Sequence, residues 1–212
     1  MGAIVIHLLP HILATGLYGY LGYHFWNTRW RETDKPLVTA PMQTWERSAI
    51  GLGLLLQAFG LYDGCFTDDG MRFSFGYAMS LMLWLAVLIY WLESFRARMD
   101  GLQPMVLPLA AGCAALPVIF PHVHLVAHAG SLGFKLHFLA AMLAYSLFTL
   151  SALHAVFMGF AERKLHQRAL TRSLASLPPL LTMEALLFRM LLIGFILLTL
   201  ALGSGVLFSE AL

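Results

Sequence analysis

Six apolar stretches dominate this chain, at roughly 3–26, 48–66, 73–95, 105–120, 136–160 and 183–208. Each is close to the ~20 residues that an α-helix needs to cross a bilayer. The basic residues fall into alternate gaps between them. Arg29, Arg31, Lys35 and Arg47 follow the first stretch, Arg96 and Arg98 the third, and Arg163, Lys164, Arg168 and Arg172 the fifth. The second gap carries Asp63, Asp68, Asp69 and Arg72, and the fourth is a histidine-rich run with only Lys135. Short loops rich in Lys and Arg stay on the cytoplasmic side. The pattern predicts an all-α integral membrane protein: one transmembrane domain over residues 1–212, a six-span helical bundle with both termini on the outer side.

Hydrophobic residues make up 59% of the chain and charged residues 11%, a balance that no ordinary soluble domain shows. The net charge of +2 and the short, interrupted basic loops give no footing for a nucleic-acid partner. Residues Met1 to His7 place no basic residue ahead of the first apolar run, so that run is expected to be a span rather than a signal peptide. Cys65 and Cys113 fall at different depths, so no disulfide is expected between them.

The stretches differ in their small and ring-bearing residues. Gly51, Gly53 and Gly60 in the second, and Gly203-Ser204-Gly205 in the sixth, suit close helix packing in lipid. Pro104, Pro108, Pro117 and Pro121 crowd the fourth. Proline removes a backbone donor, so this span is expected to break and to lie against other helices near a cavity. Thr182, just after Pro178-Pro179, is expected to cap the sixth span. Glu184 is the expected partner of Arg189, whose other reading is an anion contact such as a propionate or phosphate. Trp26, Trp30, Trp45 and Trp91 suit the inner interface, while Trp84 lies deeper with Ser80 on its face.

The chemistry rests with nine histidines. His7 and His11 lie one turn apart near the outer end of the first span. His122, His124 and His128 fill the outer loop before the fifth span, and His137 opens that span. His24, His154 and His166 belong to the inner side. A neutral imidazole facing a bundle ligates haem iron, zinc or copper, and serves equally as a packing residue. The loop histidines form an alternative metal site or a solvated, titrating loop. His137 and His154 are separated by roughly 25 Å at ~1.5 Å per residue, so they cannot share one iron. Cys-x-x-Cys, His-Glu-x-x-His, P-loop and Gly-x-Ser-x-Gly motifs are absent from the sequence. No enzymatic activity is expected.

Two stretches resemble a known family. One runs Leu54-Leu55-Leu56-Gln57-Ala58-Phe59-Gly60-Leu61-Tyr62 and resumes at Phe73-Ser74-Phe75-Gly76-Tyr77 through Trp84. The other runs from Leu136-His137 to Ala144-Tyr145, and from Leu177-Pro178-Pro179-Leu180-Leu181-Thr182-Met183-Glu184 through Arg189 and Ile193-Gly194-Phe195 to Gly205. Together they resemble the cytochrome c assembly membrane proteins (CcsA-like), in particular their shorter YpjD/HemX-type inner-membrane branch. The resemblance covers roughly residues 51–208. It implies handling of haem b at the periplasmic side during cytochrome c biogenesis, with other cytochrome c assembly proteins as partners. It makes His137 the first candidate axial ligand, with His11 and then His7 as candidates for the second, and Lys135 beside a propionate.

Three departures from the family pattern stand in the sequence. Gln57 occupies the position where relatives commonly carry His, no Trp follows Trp91, and the chain stops at Leu212, where relatives run on through further spans. The last is expected of either a shortened form or a partial sequence. Other readings stay open. One is a small membrane transporter built around the broken fourth span, with Gln57, Ser80, Ser146 and Thr149 as its polar path. Another is a haem-free structural subunit of a membrane complex. A third is a two-haem cytochrome with His24 and His154 as an inner pair.

Overall fold

In the computed structural model of the chain, residues 2–31, 42–67, 70–96, 101–121, 124–125, 131–166 and 180–209 are described. Six α-helices carry them: α1 (Gly2–Phe25), α2 (Thr44–Cys65), α3 (Phe75–Glu93), α4 (Gln103–Ile119), α5 (Leu132–His166) and α6 (Leu180–Ser209). Helix α1 runs on into a π-helical stretch at Trp26–Arg31. Three short antiparallel strands, β1 (Phe66–Thr67), β2 (Gly70–Phe73) and β3 (His124–Leu125), gather the α2–α3 and α4–α5 connections at one end of the bundle. Their register pairs Phe66 with Met71 and Phe73 with His124. This is the strand end; the opposite end is marked by Glu46. By length and composition, α2, α3, α5 and α6 are apolar enough to cross a membrane, and α4 is a shorter apolar helix.

Helices α1 to α4 form a tight group. Tyr18, Leu21 and Phe25 of α1 are fully buried with Ile50 and Leu54 of α2, Val87 and Tyr90 of α3, and Val106, Leu107 and Ala110 of α4. Small residues set the spacing, as expected where lipid offers no hydrophobic drive between helices. A Cβ on Gly22 would meet the ring of Pro108 at 2.8 Å, so α1 and α4 touch where a glycine faces a proline. One on Gly76 would lie 2.9 Å from the Leu116 carbonyl, which brings α3 onto the backbone of α4.

The fourth span is not broken. Helix α4 is continuous, with Pro104 in its first turn, where its missing donor costs nothing, and Pro108 and Pro117 inside. Packing against α1 and α3 holds the segment helical despite the donors that proline removes. Gly101, at φ +104, makes the turn before α4 in a region that favours glycine, with the Phe157 ring of α5 against it.

Helices α5 and α6 pair along their length and join the group mainly through α3. Leu147, Leu150 and Phe157 of α5 and Met183 and Met190 of α6 extend the same core. The rest of α6 is largely exposed, with Phe188, Leu192, Phe195, Leu200 and Leu202 facing outward. Helix α6 starts at Leu180, so Thr182 lies within its first turn and not at the cap. The helix is tied to α3 by Arg189, whose Nη2 lies 2.7 Å from Oε1 of Glu93. The partner is thus a residue of another helix, not Glu184.

At the Glu46 end, the Glu46 carboxylate is buried and takes three hydrogen bonds. His24 Nε2 lies 3.1 Å from Oε1; Arg29 Nη2 at 3.0 Å and the Gln43 backbone N–H at 2.8 Å donate to Oε2. The last is the return half of a capping box, closing the start of α2. The first two tie α1 and its π-helical extension to α2. His24 is therefore engaged by a carboxylate, and Trp45 packs across its ring at 5.0 Å.

Candidate haem-handling site

Two histidines at the strand end have well-described surroundings, and those surroundings differ. His11 is fully buried among α1, α2 and α3. A Cβ on Gly60 would lie 2.9 Å from its Nε2, so the α2 backbone stands directly against that nitrogen. The Tyr77 ring meets His11 edge-on at 5.9 Å between centroids. Neither ring nitrogen makes a hydrogen bond of good geometry among the described residues, and the polar backbone that stands nearest is that of Gly60.

His11 begins a polar seam. Thr15 and Tyr18 follow it at the i+4 and i+7 spacing that keeps one helix face. Across from them α2 presents Gly60, Gln57 and Gly53 at matching steps, and a Cβ on Gly53 would meet the Tyr18 ring at 2.6 Å. Thr15 Oγ1, the Tyr18 hydroxyl and Gln57 Oε1 also lack partners among the described residues. The Gln57 amide is committed elsewhere: its Nε2 donates to the Ser80 carbonyl at 3.1 Å and lies 3.0 Å from Ser80 Oγ. Gln57 is thus a brace between α2 and α3.

His137 sits in the second turn of α5, half-buried against α6. Its Nδ1 lies 3.0 Å from Ser204 Oγ, and Ser204 Oγ donates to the Ala201 carbonyl at 2.9 Å. A Cβ on Gly205 would stand 3.3 Å from Cε1, so a side chain there would press on the ring. No partner is found for Nε2 among the described residues. Phe138, the next residue, meets Phe73 at 5.0 Å, edge to face, and Phe73 packs on the cluster of Leu61, Cys65 and Tyr77. Ring contacts thus run from Phe138, beside His137, through Phe73 and Tyr77 to His11, and the two imidazoles share no partner among the described residues.

The other candidates divide by what is described. His7 lies in α1, but its side chain is outside the described residues, as are His122 and His128; of His124, only the backbone in β3 is described. The loop metal reading therefore falls outside the description. Among the described residues no group of three or more His, Cys, Asp or Glu is placed to hold a metal ion. Lys135 is exposed in the first turn of α5, on the same end as His137. His154 is buried, with Nε2 3.1 Å from the Met183 carbonyl, so the proposed inner partners, His154 and His24, each have separate protein partners. Ser146 Oγ lies 2.6 Å from the Met142 carbonyl and 2.9 Å from the Met82 carbonyl, and Thr149 donates to the Tyr145 carbonyl, so these polar groups close onto nearby backbone. Both cysteines are free and buried.

The family model described as cytochrome C assembly protein matches residues 45–212, from the start of α2 to the end of the chain. The chain belongs to the cytochrome c assembly family. No curated protein and no solved structure matches it. Family membership and four helices of spanning length and composition make it a multi-pass membrane protein with a role in cytochrome c biogenesis. His137, Ser204, Gly205 and Gln57 lie inside the matched region of this cytochrome c assembly protein, and His7 and His11 lie before it.

The sequence marks His137 as a candidate but not the residue that holds it: Ser204 reads only as a small packing residue between two glycines. Its signal was depth: in an antiparallel hairpin, a hydroxyl near the end of α6 meets a histidine near the start of α5.

The donor set fits a haem at His137 better than at His11. A partly exposed imidazole whose Nδ1 is engaged has one nitrogen left for iron. His11 has two unengaged nitrogens, but α2 stands against Nε2 at Gly60.

Proposed function

We propose that this cytochrome c assembly protein binds haem b at the periplasmic side of a six-span bundle in the bacterial inner membrane, and holds it there during cytochrome c biogenesis. The observation that carries the reading is His137: an imidazole within the family match, at the strand end, oriented through Nδ1 and with Nε2 unengaged. The strand end is then the periplasmic end, which agrees with the basic loops at the opposite face. His137 supplies one axial ligand, and Lys135 is placed on the same turn-rich end to meet a propionate. His11 and His7 are the candidates for a second ligand. His11 reaches iron only if α1 and α2 part at Gly60. When bound, haem supplies an iron and a vinyl-bearing ring for later attachment to a cytochrome. This chain's own groups bind and orient, and none acts as nucleophile. Other cytochrome c assembly proteins are the expected partners.

The test is a reduced-minus-oxidised absorption spectrum of detergent-purified protein expressed with ample haem. A b-type band in the wild type, absent from His137→Ala, is the expected result. A wild type without any band overturns the haem reading. It leaves a structural subunit of the assembly machinery, a reading that the commitment of Gln57 to Ser80 favours.

A further inference from the structure

The hydroxyl of Ser204 has one proton and two neighbours that compete for it. One is the Ala201 carbonyl at 2.9 Å, which can only accept. The other is His137 Nδ1 at 3.0 Å, which either donates or accepts according to the tautomer. If the Ser204 proton went to Nδ1, its oxygen would face the Ala201 oxygen with no hydrogen between them. The arrangement that satisfies all three groups sends the Ser204 proton to Ala201 and lets Ser204 Oγ accept a proton from Nδ1. A neutral imidazole carries only one proton, so Nε2 is then bare.

Gly205 contributes to this arrangement. Its missing side chain leaves the Cε1 edge of the ring room to lie on α6, with 3.3 Å to where a Cβ would stand. That room lets Nδ1 come within 3.0 Å of Ser204 Oγ. The i−3 bond from Ser204 to Ala201 fixes the hydroxyl from its own helix, which is the back-bonded geometry common for serine in membrane helices.

We propose that Ser204 is a positioning residue that locks His137 in its Nδ1–H tautomer and so leaves Nε2 as the lone-pair nitrogen that meets iron. This rests on the haem reading for its purpose, but not for its test. A neutral hydrogen-bond acceptor on the far nitrogen also raises the electron-donating strength of a ligating imidazole. Ser204 thus bears on both the orientation and the electronics of the ligand.

The experiment is nitrogen NMR on haem-free protein labelled with 15N-histidine, at a pH well above imidazole protonation, at about 8. The His137 signals are assigned by their loss in His137→Gln. The expected result is a protonated Nδ1 and a bare Nε2 in the wild type. Ser204→Ala is expected to move the population toward the Nε2–H form, and Ser204→Thr to restore the wild-type pattern. A wild-type His137 protonated at Nε2, or a tautomer unchanged in Ser204→Ala, overturns the proposal. Because no haem is present, a chain that never binds haem can still pass this test; the absorption spectrum settles that separate question. In haem-loaded protein, Ser204→Ala is expected to raise the reduction potential and Ser204→Thr to return it. An unchanged potential in a variant that still binds haem counts against the electronic role.

Discussion

His11 and His137 occupy the same end of one bundle, yet their neighbours give them opposite characters. His11 is enclosed where three helices meet, with both ring nitrogens unbonded and the α2 backbone against one of them. His137 lies on a helix pair attached mainly through α3, partly exposed, with one nitrogen engaged by Ser204. Glycine underlies both outcomes. Gly60 lets α2 close over His11, while Gly205 lets α6 receive the edge of His137. The same residue type at the same end of the bundle becomes an enclosed core group in one place and an oriented, partly exposed imidazole in the other. Charge and depth along the chain do not separate these cases; the facing helix does.

The contrast depends on α1 being clamped to α2, and Glu46 is the clamp at the far end. Glu46→Ala removes the buried carboxylate that Arg29 and His24 share, and removing one partner of a buried pair costs up to about 3–5 kcal/mol. The expected outcome is a large fall in the thermal unfolding midpoint, with amide exchange rising first in α1 and hardly at all in α6. Exchange that rises equally in both regions would erase the distinction between a tight group and a loosely joined pair.

Gly60→Ala tests the seal over His11 directly. The added methyl must displace the imidazole, and overpacking of this kind costs about 1–3 kcal/mol. The double variant with His11→Ala is expected to recover most of that loss, a coupling that a double-mutant cycle in thermal denaturation reads out. Independent, additive effects would mean that Gly60 and His11 do not meet.

His11→Leu gives a smaller shift of opposite sign. A buried polar group without a partner costs about 1–3 kcal/mol, so its removal is expected to raise stability by about 1 kcal/mol. The same change at His137 is expected to lower stability slightly, because Ser204 loses one of its two partners and keeps only the Ala201 carbonyl. If both replacements destabilise equally, His11 has a hydrogen bond and the comparison weakens.

The smallest effect belongs to Arg189→Ala, which removes the exposed tie from α6 to Glu93. Such surface pairs are worth about 0–1 kcal/mol. A fall well beyond that range in thermal denaturation would show α6 to be anchored more firmly than its exposed face implies.

How much of this was legible beforehand follows from the range of each signal. The six helices could be read because apolar length is local, and their boundaries shift by only a few residues except at α5, which runs on to His166. The continuity of α4 could not, because Pro108 is accommodated by Gly22 on another helix. The pairing of Arg189 with Glu184 fails for the same reason: a local partner is visible in the sequence, whereas Glu93 lies on a different helix. The strands β1 to β3 are too short to leave a period in the sequence. In the site, the candidacy of His137 was legible from family resemblance, and its geometry was not, since Ser204 lies 67 positions away. The seam of His11, Thr15 and Tyr18 is present in the sequence as an i, i+4, i+7 pattern, although only His11 stands out there by its chemistry.

The most direct measurement is a haem titration of His137→Ala and His11→Ala beside the wild type, followed by absorption and electron paramagnetic resonance spectra. The account predicts that His137→Ala loses the bound-haem spectrum, whereas His11→Ala keeps a bound haem, changed at most in spin state. Full, unaltered binding by His137→Ala would contradict it.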